Sequence, residues 1–292
     1  MNRLDLYNRV AQRSASLVIR DYSTSFGLAS RILSRESRQH IDNIYALVRV
    51  ADEIVDGVAV EAGLNADAVR ASLDQFEADT EAAMATGYSS NLVIHAFALS
   101  ARECGITSAE TAPFFASMRM DITDHEYDQA GFDAYVYGSA EVVGLMCLAV
   151  FVRDRHVSAD EGHILVKGAR SLGAAFQKVN FLRDLSADAD GLGRSYFPGV
   201  TEATLTEEVK NRLLDDIDAD LAAADATIAM LPRDAARAVA LAHDFFRELS
   251  VRLRATPAQG LLAARIRVPN SIKYLIAAKI LLGIRPLRAS AN

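Results

Sequence analysis

Proline is scarce in this chain. There are six in 292 residues, and the first is Pro113. Alternating runs of β-branched residues are scarce too, while alanine and leucine are plentiful, which favours helices over sheets. The two cysteines, Cys104 and Cys147, stand far apart and form no Cys-x-x-Cys pair. That excludes a zinc knot or a thiol redox motif and points to a reducing cytoplasm. No long basic run is present and the formal net charge is −7, so nucleic acid is not expected as a partner. The opening MNRLDLYNRVAQRS lacks the apolar core of a signal peptide. The longest apolar run, VVGLMCLAVFV at 142–152, lies between Glu141 and Arg153; a membrane span needs roughly 20 apolar residues, so it reads as a buried core helix. There is no Ser- or Pro-rich linker, low-complexity tract or regular repeat, and residues 1–292 read as one all-helical domain.

Hydrophobic residues make up 51% and charged residues 24% of the chain, the balance of a globular protein with a sizeable core. Periodicity predicts helices at about 5–20, 34–57, 66–86, 89–103, 108–122, 130–154, 159–188, 205–230, 233–254 and 270–283. Breaks fall at GVAVEAGLN, ATGYSS, ECGITS, DGLGRSYFPGV and RATPAQG, each carrying glycine, proline or small polar residues. The tail SIKYLIAAKILLGIRPLR is apolar and basic. It reads first as core packing with snorkelling lysines, and second as a segment lying on the inner face of the cell membrane.

The stretch YALVRVADEIVDG, 45–57, poses the main question: it is a helix apolar nearly all round, yet it carries Asp52, Glu53 and Asp56. Tyr45, Arg49, Asp52 and Asp56 fall on one face at i, i+4, i+7 and i+11. A second helix repeats the scheme, with Gln177, Asn180, Asp184 and Asp188 on one face among Phe176, Val179, Leu182 and Leu185. Buried, unpaired carboxylates are strongly unfavourable and would take up protons. A divalent cation removes that cost, and hard oxygen ligands suit Mg²⁺, which shares its shell with phosphates. The two stripes therefore read as holders of Mg²⁺, and through it of a diphosphate. A solvated acidic face, which suits DDIDAD at 215–220, fits poorly where the flanks are this apolar. A carboxylate-bridged di-iron bundle needs Glu-x-x-His pairs, and none of the six histidines has a glutamate three residues before it; they read as surface or satisfied structural residues.

Three further segments surround these helices. Tyr22, Ser23 and Ser25 offer hydroxyls at a turn or helix start, where an anion site and a plain N-cap are both open readings. GLGRSYFP, 191–198, follows the second acidic helix; its glycines permit a mobile flap from which Arg194 could reach phosphate. In YVYGSAEVVGLMC the small residues Gly138, Ser139, Ala140 and Gly144 either make room for a long apolar ligand or serve core packing.

Together YSTSF, YALVRVADEIVD, YVYGSAEVVGLM, QKVNFLRDLSAD and GRSYFP resemble the squalene and phytoene synthase family from about Tyr22 to Lys279, with the closest look to bacterial phytoene synthases. The resemblance implies an all-α, single-domain isoprenoid synthase-type helical bundle around a central apolar cavity. It matches Asp52 and Asp56 to the first aspartate motif, and Asn180, Asp184 and Asp188 to the second; these five would hold metal, and the four aspartates would be catalytic. Tyr45, Arg49, Gln177 and Arg183 match diphosphate contacts, Tyr22, Ser23, Thr24 and Ser25 a substrate-binding segment, and Arg194 and Tyr196 the Arg-x-Tyr-x-Pro loop. Tyr22 stands where some members have histidine, Glu141 where relatives often have a small or neutral residue, and Arg265 in AARIRVP aligns only loosely.

The implied reaction is a Mg²⁺-dependent prenyl transfer, with Mn²⁺ as an alternative metal and no need of NADPH. Two molecules of geranylgeranyl diphosphate condense head to head to 15-cis-phytoene through a cyclopropylcarbinyl diphosphate, releasing diphosphate, within carotenoid biosynthesis. Implied partners are the substrate, the membrane surface and downstream carotenoid enzymes. Competing readings are a squalene or dehydrosqualene synthase using farnesyl diphosphate, a terpene cyclase, whose second motif would be of Asn-x-x-Ser-x-x-x-Glu type, and an inactive family-like assembly partner.

Overall fold

The computed structural model describes residues 2–123, 126–191 and 196–284, with the side chains of 186–191 excepted. The described residues form helices α1 (Arg3–Tyr22), α2 (Thr24–Ser30), α3 (Arg35–Val55), α4 (Val58–Glu61), α5 (Ala66–Thr86), α6 (Leu92–Cys104), α7 (Ser108–Thr123) and α8 (Gln129–Val136). After a π-turn, Tyr137–Glu141, follow α9 (Val142–Val152), α10 (Ala159–Gly191), α11 (Glu207–Ile228), α12 (Arg233–Ala255), α13 (Ala258–Ala263) and α14 (Asn270–Leu281). The side chain of Asp188 and the whole of Arg194 lie outside the described residues.

Local chemistry sets these boundaries. Asn2 and Asp5 form a reciprocal capping box, and Ser34, Asn65, Asn91, Asp128 and Thr206 cap their helices through side-chain oxygens. The expected breaks at ATGYSS and ECGITS are left-handed glycine caps, Gly87 at φ +83° and Gly105 at φ +73°. Short helices α2, α4 and α13 occupy segments expected to be turns or breaks.

One core gathers α3, α5, α6, α7 and α9 around Phe97, Phe114, Phe115 and Met146; another gathers α8, α10, α11, α12 and α13 around Phe181, Leu182, Leu214 and Leu253. Members of both line one large cavity. The span 129–152, expected to be a single helix, is α8, the π-turn and α9. It is long and apolar enough to cross a membrane by length and composition, but here it packs against α7 and α10. A Cβ on Gly138 would lie 2.2 Å from the Pro113 carbonyl oxygen, and one on Gly144 2.5 Å from that of Ala169. Close helix packing thus accounts for both glycines, while Ser139, Ala140 and Gly144 also line the cavity. The extra residue of the π-turn leaves Ser139 and Ala140 facing inward and Glu141 facing an outer groove, bound to Arg170 at 2.6 Å.

Candidate active site

The cavity has a volume of about 1030 Å³. Its lower walls are apolar: Val143, Cys147 and Phe151 from α9, Phe176 from α10, and Phe245 and Phe246 from α12. Burial pushes the Cys147 thiol up to about 12, so it behaves as an inert wall residue. Phe176 and Phe246 stack at 3.8 Å between ring centroids.

Four carboxylates are among the residues that line this space. Asp52, Asp56, Asp121 and Asp184 all line it, beside Asn180 and Gln177. Asp52 sits near the end of α3, and Asp56 is the exposed residue that caps that helix. Burial holds the Asp52 carboxyl well above the ordinary carboxylate range, Asp56, Asp121 and Glu53 push it the same way, and only Arg49 opposes them. The Arg49 guanidinium is 4.0 Å from Asp52, is ion-paired to Glu53, and lies 4.6 Å over the ring of Tyr22. Tyr22 is exposed and lines the mouth. Tyr45, raised by burial, borders the same group.

Asp184 of α10, which also lines the cavity, receives two arginines. Arg183 Nε is 2.9 Å from Asp184 Oδ1, and Arg265 Nε is 2.7 Å from the same oxygen. Arg265, which aligned only loosely in sequence, is thus brought into the site, and Arg267 and Lys273 line it as well. Ser23 is the N-cap of α2, its hydroxyl accepting from Phe26 N–H at 3.1 Å; Thr24 and Ser25 also line the cavity.

Sequence reasoning missed Asp121. It is buried on α7, and its carboxylate accepts from Tyr135 at 2.7 Å and Tyr196 at 3.2 Å. Burial, and next the Asp121 charge, hold the Tyr135 phenol well above its usual range, so it stays a donor. The Tyr196 ring stacks on Phe181 at 4.0 Å. The signal was present: MRMD puts one aspartate on an apolar helix, as ADEIVD does with Asp52. The histidines with described partners are structural. His40 meets Ser100 at 2.9 Å, His95 meets Asn8 at 2.7 Å, and His243 meets the Leu221 carbonyl at 3.1 Å. Glu36, His40 and Glu103 also cluster, but Arg153 already pairs with Glu36 at 3.2 Å and His40 with Glu103 at 3.4 Å, and none of the three lines the cavity.

The sequence pattern of the squalene/phytoene synthase family matches residues 19–271. The chain belongs to the squalene/phytoene synthase family. It is 28% identical over 256 residues to a phytoene synthase of Pseudescherichia vulneris, covering 80% of this chain and 79% of the relative. A 15-cis-phytoene synthase of a Paracoccus species is 31% identical over 249 residues, covering 80% and 78%. Among solved structures, a dehydrosqualene synthase with bound ligand superposes with a TM-score of 0.78 at 20% identity, over 95% of this chain and 97% of the other. The squalene synthase HpnC of Alicyclobacillus acidocaldarius gives 0.73 at 19% identity, over 86% and 95%. These likenesses fix the fold as that of isoprenoid synthases. As a squalene/phytoene synthase family member, the chain is a prenyltransferase-type enzyme. Glu141 faces the outer groove, paired with Arg170, and is not among the residues that line the cavity.

Proposed function

We propose that this enzyme condenses two molecules of geranylgeranyl diphosphate head to head to 15-cis-phytoene, in a Mg²⁺-dependent reaction that needs no NADPH. The observation that carries the reading is that Asp52, Asp56, Asp121 and Asp184 line one cavity together with Arg49, Arg183 and Arg265 and with apolar side chains of α9, α10 and α12. Similarity to phytoene synthases at 28% and 31% identity supports the product class.

The donors fit a hard divalent cation. Asp52 is a half-buried carboxylate pressed by three acidic neighbours, with Arg49 to offset them, and added positive charge there favours its ionised form. Asp52, Asp56, Asn180, Asp184 and Asp188 would hold Mg²⁺, or Mn²⁺. When bound, the metal supplies Lewis-acid stabilisation of the leaving diphosphate.

The protein's own groups do the rest. Arg49, Arg183 and Arg265 hold diphosphate oxygens; their planar forks suit paired contacts. Gln177, Tyr45 and the hydroxyls of the Tyr22–Ser25 segment orient the same group, and Arg194 and Tyr196 belong to the substrate-binding set through the adjoining loop. The apolar walls exclude water while the allylic cation forms and is attacked by the second substrate's double bond, because water would quench it to an alcohol. Asp121 fixes the hydroxyls of Tyr135 and Tyr196 at the boundary between the polar and apolar regions.

Parallel incubations with geranylgeranyl and farnesyl diphosphate, each with Mg²⁺ and with or without NADPH, test this reading. A forty-carbon triene-core hydrocarbon from the first substrate alone supports it. A thirty-carbon product from farnesyl diphosphate assigns the enzyme to squalene or dehydrosqualene synthesis, and no product from either leaves the non-enzymatic assembly role.

A further inference from the structure

The cluster of Glu36, His40 and Glu103 stands apart from the cavity. Glu36 and His40 are neighbours on one face of α3 at i, i+4 spacing, and Glu103 comes from the last turn of α6. One ligand atom from each residue, a ring nitrogen of His40 and two carboxylate oxygens, lies within 4.8 Å of the other two. From His40 to Asp52 is twelve residues of α3, roughly 18 Å along the helix. The cluster therefore shares no ligand with the carboxylates of the cavity.

His40 is the unusual member, because it is only 4% exposed. Its Nδ1 meets Ser100 Oγ at 2.9 Å, and that oxygen also accepts from Asn43 Nδ2 at 2.9 Å. Its Nε2 has no hydrogen-bond partner among the described residues, although Glu103 Oε1 is 3.4 Å away. Leaving a buried ring nitrogen unsatisfied is costly. Burial lowers the pKa of His40 against the pull of Glu103, so at neutral pH the ring is uncharged and the 3.4 Å contact is no ion pair. The contact is long for a hydrogen bond. It is the right separation for two ligands of one tetrahedral zinc ion, whose bonds of about 2.0–2.2 Å set neighbouring ligand atoms about 3.3–3.6 Å apart. An Nδ1–H donated to Ser100 leaves the Nε2 lone pair for a metal, the usual arrangement of a metal-bound histidine.

Arg153 is the competitor for Glu36, at 3.2 Å. Its guanidinium also meets Asp154 at 3.2 Å, Ser37 Oγ at 3.2 Å and the Val150 carbonyl at 3.0 Å, so Glu36 can leave without stranding it. The Glu36 and Glu103 side chains are 66% and 54% exposed. They can turn inward to bond lengths while the packed imidazole stays fixed.

We propose that Glu36, His40 and Glu103 bind one zinc ion, with water as the fourth ligand, and that this ion fastens α3 to α6. One imidazole nitrogen with two carboxylate oxygens is a donor set that suits zinc. The ion's part is structural, and the site stands whether or not the prenyl-diphosphate reading holds.

Equilibrium dialysis of the full chain against zinc alone tests this, with no substrate present. In an Asp52→Asn, Asp184→Asn protein, which lacks two carboxylates of the cavity, a single equivalent should stay bound. Co²⁺ in its place should show the visible absorption of a four-coordinate ion. Glu36→Gln and Glu103→Gln, each added to that protein, should weaken binding at least about tenfold. Ser100→Ala, which touches no metal but orients His40, should weaken it about 10–100-fold. Zinc should also raise the thermal midpoint of the wild type and not that of His40→Gln; if His40→Gln fails to fold, the two exposed glutamates decide the question. No bound zinc in the wild type overturns the proposal. So does loss of all binding with the cavity aspartates, which would put the ion in the cavity, and so does equal affinity after both glutamate changes, which would make the binding adventitious.

Discussion

Gly173 sets the distance between two walls of the cavity. A Cβ there would lie 2.4 Å from the Ala140 carbonyl oxygen, 2.8 Å from its carbon and 3.0 Å from Glu141 Cα. All three blocking atoms are backbone, so no side chain can swing aside. Gly173→Ala must push α10 and the π-turn apart by roughly 1 Å to reach ordinary contact, enough to forfeit a quarter to a half of the dispersion well along that seam. Overpacking of this kind costs about 1–3 kcal/mol. Alanine returns ~0.5–1 kcal/mol through its better helix propensity. The net loss should be about 0–2.5 kcal/mol, centred near ~1 kcal/mol. Gly162→Ala, on the same helix, is the control: its Cβ would meet only Val157 Cγ1, at 3.8 Å, and the change should stabilise by ~0.5–1 kcal/mol. Urea denaturation of the two variants reads the opposite signs directly. Product analysis should show prenyl alcohol from Gly173→Ala alone, since a parted wall admits water to the cation. A Gly173→Ala protein as stable as Gly162→Ala, with no alcohol, would refute the close approach of these walls.

Asp52→Asn should lower turnover by about a hundredfold or more while the fold survives. Because the folded-state carboxyl of Asp52 is raised by burial and by Asp56, the native protein binds the extra proton, and metal-free stability falls as pH climbs from the ordinary carboxylate range towards the raised value; the variant should lack that fall and match or exceed wild type at neutral pH in EDTA. Tyr135→Phe removes a buried hydrogen bond to a carboxylate and should destabilise by about 1.5–3 kcal/mol, measurable by denaturant titration; a neutral result would mean that Asp121 is satisfied without it. Chelation should abolish hydrocarbon synthesis, with recovery on adding Mg²⁺ or Mn²⁺ and no effect of NADPH on the product. A product that changes with NADPH would move the assignment to squalene synthesis.

Periodicity and caps made the long helices legible: α3, α5, α7, α10 and α12 lie within a few residues of their expected ranges. The short helix α2 was hidden because YSTSF looks like a turn; its seven residues are held by packing against α12 and by the Ser23 cap rather than by propensity. The π-turn was illegible because its cause is non-local, the approach of Gly138 to Pro113 and of Gly173 to Ala140. The acidic stripes could be read because charge on an apolar helix is costly, and the structure brings Asp52, Asp56, Asn180 and Asp184 to one cavity. Asp121 escaped because it has no partner aspartate four residues away. Arg265 escaped firm assignment because its pairing with Asp184 spans 81 residues of sequence, a contact no local pattern encodes.

Turnover of geranylgeranyl diphosphate by the purified chain, with Mg²⁺ present and NADPH absent, tests the central claim most directly. Chromatography with mass detection should find phytoene together with released diphosphate, and a quenched time course should show the cyclopropylcarbinyl diphosphate rising before it. If the substrate is recovered intact, or only geranylgeraniol forms, the reading of this cavity as a head-to-head condensation site is contradicted.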